Sequence, residues 1–92
     1  MTPESGEVVA LQALAWLLSQ DDLRDVFLGS TGADAKDLRA QATDTAFQAA
    51  VLEFLLMDDA WVIRFCDAQG VSYETPAQAL AALPGQALPN WT

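Results

Sequence analysis

The stretch ALAWLLSQDDLRDVFLGSTG, residues 13–32, decides the fold, because its pattern recurs 38 residues later as VLEFLLMDDAWVIRFCDAQG, residues 51–70. In both stretches an apolar helix is followed by an acidic start, a second helix with a phenylalanine, and a closing glycine. Six of the twenty aligned positions are identical: Leu14/Leu52, Leu17/Leu55, Leu18/Leu56, Asp21/Asp59, Phe27/Phe65 and Gly32/Gly70. The pattern predicts two similar helical hairpins.

Two interpretations of this recurrence stay open. One is an internal duplication, with three-helix halves at residues 8–42 and 46–84 packed about an approximate twofold axis. The other is coincidence, since two leucine-rich amphipathic hairpins resemble each other by composition alone. Under either interpretation a hairpin cannot cover its own apolar first helix. The first and fourth helices are therefore expected to pack directly together.

Signals outside these stretches extend the prediction to an all-α fold, a compact bundle of about six short helices. Thr2, Ser19, Asp58 and Thr75 stand where side chains cap the first, second, fifth and sixth helices, and Thr43 and Asp44 both suit the fourth. Strand formers never alternate with polar residues over a useful length. Residues 1–92 are expected to form one helical domain with a C-terminal tail at 86–92.

Charge limits the classes of partner. The 92 residues contain 13 acidic and 4 basic side chains, which gives a net charge of −9. Such a chain gains little from phosphate backbones or anionic membrane surfaces, so neither nucleic acid nor membrane binding is expected. No apolar stretch reaches the length of a bilayer span, and no export signal is visible. The single cysteine, Cys66, suits a reducing compartment, so a cytoplasmic location is expected.

Catalytic chemistry is not expected either. The chain has no histidine, which removes Ser-His-Asp and Cys-His catalysis together with histidine-ligated zinc. Cys66 lies among apolar residues and is interpreted as a small core residue. The carboxylate pairs at residues 21–22 and 58–59 are explained by their places at helix starts. We therefore predict no catalytic, metal-binding or cofactor-binding residue.

Two features could contact a partner. The segments 14–18 and 52–56 both match an LxxLL pattern, whose leucines can anchor a helix in a partner's groove. Their apolar surroundings favour core packing instead. Trp91 lies beyond the last predicted helix, where no periodicity assigns it to the core. It is predicted either to fold back over an apolar groove or to be a contact for a protein partner.

Together, several short segments resemble the DUF3572 family, a small alphaproteobacterial domain of unknown function. They are Ala13–Leu17, Phe27–Gly32, Leu38-Arg39, Phe47, Val51–Leu55 and Leu83–Gly85. Their order and spacing carry the resemblance, which covers about Val8 to Trp91. It implies a short bacterial cytoplasmic protein and supplies no activity, ligand or catalytic residue.

Three functions follow as hypotheses. The first is a small protein–protein interaction module or regulatory adaptor, since a helical domain with this many apolar residues can leave an apolar strip uncovered. The second is an acidic mimic that occupies the basic groove of a nucleic-acid-binding protein. An adaptor needs an apolar groove, whereas a mimic needs most of its acids on one face. An enzyme is the third, and it lacks a nucleophile–base pair.

Overall fold

Six α-helices occur in the part of the chain that the structure describes. The computed structural model describes residues 1–32, 34 and 36–85. The helices are α1 Pro3–Ser19, α2 Asp21–Thr31, α3 Leu38–Gln41, α4 Thr45–Leu55, α5 Asp59–Gln69 and α6 Thr75–Ala82. No strand occurs within the described ranges, and the all-α prediction is confirmed. The radius of gyration of 12.7 Å is close to the value of about 12 Å expected for a compact chain of this length.

Local hydrogen bonds explain where three of the six described helices begin. The Thr2 side chain accepts a bond from the Ser5 amide before Pro3 opens α1. Asp44 and Asp58 cap α4 and α5 by accepting from amides two residues ahead, at 3.1 and 2.8 Å. Each cap satisfies an amide that has no partner within its helix.

Two predicted caps were wrong, and competing hydrogen bonds account for both. Ser19 is the last residue of α1, and its hydroxyl donates to the Trp16 carbonyl at 2.6 Å, so Gln20 precedes α2 without a side-chain cap bond. Thr75 is the first residue of α6, and its hydroxyl shares a hydrogen bond with Ser72. Short hydroxyl side chains bond readily to neighbouring backbone or side chains, which weakens cap prediction from residue type.

Gly32 and Gly70 end α2 and α5 in the left-handed conformation, with φ of 69° and 71°. An L-residue with a side chain is disfavoured there, so the two closing glycines of the recurring pattern have the same backbone role. The helices also match in extent: α2 and α5 begin and end at positions 38 residues apart. The second helices of the hairpins therefore agree beyond the sequence identities, whereas the first helices differ, with 17 residues in α1 and 11 in α4.

The centre of the core is built where the hairpins meet. As predicted, α1 packs directly against α4. Trp16 of α1 contacts Phe65 of α5 edge to face, with centroids 5.7 Å apart and an interplanar angle of 71°. The equivalent pair, Phe54 of α4 with Phe27 of α2, has values of 5.3 Å and 74°. In each hairpin the aromatic ring of the first helix therefore contacts the phenylalanine in the second helix of the other hairpin. An approximate twofold arrangement predicts this exchange of contacts.

The third helices depart from this symmetry. α6 packs extensively along α1 and also on α4, whereas α3, one turn long, makes no comparably extensive contact with α4 or α1. A four-residue helix offers too little side-chain surface to repeat the α1–α6 packing. The internal duplication stays a prediction. The two hairpins correspond to each other, whereas the third helices of the halves, α3 and α6, do not.

The α1–α6 contact depends on small side chains. Gly6, Ala10 and Ala13 of α1 are buried. A Cβ atom at Gly6 would lie 2.8 Å from the Ala79 carbonyl oxygen, closer than such atoms approach in proteins. The two helices therefore meet at backbone distance at this point.

No described helix combines the length and the hydrophobicity needed to cross a bilayer.

Candidate docking groove

An open groove of about 600 Å³ runs beside α4. Its floor and one end come from α4 and the two residues after it, and its walls from the end of α2 and from α6. The lining residues are Phe47, Ala50, Glu53, Phe54, Leu56 and Met57 along the floor, with Ser30, Thr31 and Leu80 in the walls. We call this the docking groove. Its volume lies within the range of about 300–1,000 Å³ typical of ligand sites.

Contacts between aromatic rings hold in place the two phenylalanines that form the floor of the docking groove. Phe47 and Phe54 both pack edge to face on Phe27, with centroids 6.2 and 5.3 Å apart. Trp61 stacks on Phe54 at 4.9 Å with an interplanar angle of 17°. The floor is therefore preformed. Met57, two residues after the end of α4, lines the groove and is 72% exposed.

The polar groups of the groove are few. Glu53 is exposed and makes no ion pair with any described residue. The Thr31 hydroxyl donates to the Phe27 carbonyl at 2.9 Å. The nine lining residues include no nucleophile paired with a base, so their arrangement suits binding of an apolar group beside a charged one.

Gln48 interrupts an apolar run of α4, yet it is almost completely buried. Its amide nitrogen donates to the Ala42 carbonyl at 2.8 Å and to the Glu7 carboxylate at 3.2 Å. Its own oxygen has no hydrogen-bond partner among the described residues. Gln48 thus joins the α3–α4 corner to α1 and holds α4 in register beneath the groove. A polar residue in an otherwise apolar helix was the signal for this role.

Arg64, which does not line the groove, links the two hairpins. Its guanidinium donates to Asp22 at 3.1 Å and to the Gln20 side chain at 3.0 Å, and it lies 5.5 Å from the centre of the Trp16 ring. The hydrogen bond with Arg64 holds the pKa of the Asp22 carboxyl below its usual value. Arg64 and Asp22 are both exposed to solvent, so this ion pair orients the surface more than it stabilises the fold.

The other residues singled out from sequence are dispersed. The carboxylate pairs start separate helices, α2 and α5, and in the described part of the chain no three metal-ligating side chains converge. Both LxxLL segments are core elements: Leu14, Leu17, Leu52 and Leu55 are buried, and Leu18 and Leu56 pack against the core. Trp91 lies outside the described residues.

One face of α1 is exposed, although Gln12 is the one polar residue between Val8 and Leu18. Val8 and Leu11 are 52% and 40% exposed. α1 packs on α2, α4 and α6, and these three neighbours leave its fourth side uncovered. An apolar residue at every turn therefore does not imply a helix that is covered all round.

Cys66 is a buried core residue, as predicted, and this placement predicts an inert thiol. Burial raises its pKa, and the carboxylates of Asp67 and Glu74 raise it further. Because thiolate is the reactive form, we expect a disulfide reagent at pH 8 to modify native Cys66 at least about 100-fold more slowly than the urea-unfolded chain.

The matched control for this experiment is Ile63→Cys in a Cys66→Ala background, since Ile63 lies on the same helix and is exposed. Its modification is expected to be fast in the native state. Equal native and unfolded rates at Cys66 would contradict the buried placement.

Comparison with known proteins gives one match. The family model described as "Protein of unknown function (DUF3572)" matches residues 3–86, which confirms the resemblance carried by the short segments. No curated protein and no solved structure matches the chain.

Proposed function

Because the chain belongs to the DUF3572 family, whose function is unknown, we propose a role from its geometry: a small protein–protein interaction module. The docking groove receives an apolar segment of a partner protein. The observation that supports this proposal is a preformed apolar groove with an exposed Met57 at its rim. Exposed apolar surface that is concave and rimmed by polar groups is typical of sites where proteins bind.

The dimensions favour side chains of a partner over a free metabolite. The groove is open along its length, and its lining offers one carboxylate and two hydroxyls. Small-molecule sites usually place several convergent polar groups around an enclosed ligand. A few apolar side chains from one face of a helix fill such an open groove without further polar contacts.

Composition and charge support further proposals on catalysis, on binding partners and on the protein's location in the cell. We propose a non-catalytic cytoplasmic protein that binds neither nucleic acid nor membrane, on the strength of its net charge of −9, its lack of histidine and its single cysteine. The acidic-mimic alternative stays a prediction. An acidic mimic would bind a basic protein, and substitutions of the groove residues would not change that binding.

Selection from a random library of displayed 16-residue peptides tests the groove. We expect enriched peptides whose affinity falls at least about tenfold with Met57→Ser, which removes an apolar contact, and with Ala50→Gln, which fills space. Met57 is exposed and Ala50 half-buried, so both variants are expected to fold. The matched control is Val8→Ser, an exposed apolar residue outside the groove, which should leave affinity unchanged.

Other occupants give different results in the same experiment. A second copy of the chain would appear as a dimer that Met57→Ser dissociates in sedimentation. Occupation by the chain's own tail would appear as peptide binding that emerges only with Trp91→Ala. Either result, or the absence of enriched peptides, contradicts the proposal.

A further inference from the structure

We propose that the partner segment is basic and amphipathic: its apolar side chains enter the docking groove, and a lysine or arginine beside them pairs with Glu53. This inference rests on the proposed function and specifies the partner's chemistry. Its basis is the distribution of charge around the groove, which is one-sided.

Glu53 supplies the first negative charge. Among the nine described lining residues it is the one ionisable side chain, it is exposed, and no described cation pairs with it. A carboxylate left unpaired beside an apolar surface attracts a cation at the cost of little desolvation, because it remains open to solvent.

The carboxyl ends of two helices add further negative charge to that of Glu53. α2 ends at Thr31 and α4 ends at Leu55, next to the lining residues Leu56 and Met57. Neither helix has a basic residue in its last turn. The carboxyl end of a helix carries a partial negative charge from the helix dipole, so both ends favour a cation in the groove.

The chain's own cations do not neutralise this site. Arg24 lies 3.5 Å from Asp21 and 3.8 Å from Asp25, and Arg64 pairs with Asp22. Lys36 and Arg39, the other two basic residues, are absent from the lining. A lysine or arginine of the occupant therefore pairs with Glu53 without displacing Arg24 or Arg64.

Apolar and charged features together restrict the partner. A purely polar polycation gains nothing from the ring floor of Phe47 and Phe54, and an acidic segment is repelled by Glu53 and by the net charge of −9. A segment with apolar residues at helical spacing and a flanking lysine or arginine satisfies both features.

The charge of the selected peptides is the first measurement. We expect enriched peptides to carry apolar residues at i, i+3 or i+4 spacing together with at least one lysine or arginine. The best one is then compared with a version in which every Lys and Arg is replaced by Gln, by fluorescence anisotropy at low and high salt. The basic peptide is expected to bind more tightly and to weaken with salt, whereas the neutral version is not.

Glu53 variants locate the charge effect. We expect Glu53→Gln to weaken the basic peptide by about 2–5-fold, as for an exposed ion pair, and to leave the neutral version unchanged. Glu53→Lys should weaken the basic peptide by about tenfold or more and strengthen a version with Glu in place of Lys. The control Asp67→Asn removes the same charge from α5, which does not line the groove, and should change affinity less than twofold.

The outcomes separate this inference from the proposed function. If groove-dependent peptides are neutral or acidic, or if Glu53→Gln has no more effect than Asp67→Asn, the basic partner is ruled out and the interaction groove stands. If binding depends on neither Met57 nor Ala50, both proposals fall together.

Discussion

Replacing Phe27 with alanine is expected to lower the free energy of unfolding by about 3–5 kcal/mol. Phe27 is completely buried and its ring contacts Phe47 and Phe54 edge to face. The loss combines the transfer of a large apolar side chain, the cavity left behind, and two ring pairs. Domains of this size are stable by only about 5–15 kcal/mol, so the variant should be close to unfolding at 37 °C.

Urea denaturation monitored by circular dichroism measures this loss. Phe27→Leu keeps most of the volume and is expected to cost less than about 1.5 kcal/mol. Val26→Ala, on the exposed side of the same helix, should cost much less than Phe27→Ala. Phe65→Ala provides a matched comparison, since its ring pairs with Trp16 as Phe27 pairs with Phe54. A loss below about 1 kcal/mol at Phe27 would contradict its place in the core.

Gly6→Ala is expected to destabilise the protein by about 1–3 kcal/mol, the usual cost of overpacking. The added methyl group would lie 2.8 Å from the Ala79 carbonyl oxygen and 3.3 Å from the Ala82 side chain. A carbonyl oxygen in a helix cannot rotate away, so α1 and α6 must separate. The sign is informative because alanine in place of a helical glycine usually stabilises by about 0.5–1 kcal/mol.

Gly29→Ala is the matched control for this prediction. Gly29 lies inside α2, and a Cβ atom there meets nothing within 4 Å. This variant should be neutral or slightly more stable in thermal unfolding. If Gly6→Ala behaves like Gly29→Ala, the close approach of α1 to α6 is wrong.

Sequence patterns predicted the features that depend on neighbours along the chain. The Asp58 cap and the closing glycines at 32 and 70 are local hydrogen-bond and backbone requirements, and all three are present. Ser19 and Thr75 failed as caps because their hydroxyls had competing local partners, which residue type alone does not reveal. Gly6 carried an available signal, since a glycine within a helix often has a packing reason.

The groove could not be predicted from the same patterns. Its walls come from the end of α2 and from α6, and its floor from α4, so it depends on how distant segments are placed together. The apolar character of α4 correctly indicated a central helix. It did not show that Ala50 and Met57 would border an open surface while Leu52 and Leu55 face the core.

The contact between α1 and α6 also bears on the order of events during synthesis. α1 is synthesised before the other described helices, and its partner Ala79 is made more than 70 residues after Gly6. Until then the side of α1 around Gly6 and Ala10 has no α6 to cover it, and closing so long a loop carries an entropy cost that earlier contacts must offset. The nascent chain therefore completes its core only when α6 emerges, and a ribosome stalled before residue 75 exposes an apolar surface to chaperones and proteases.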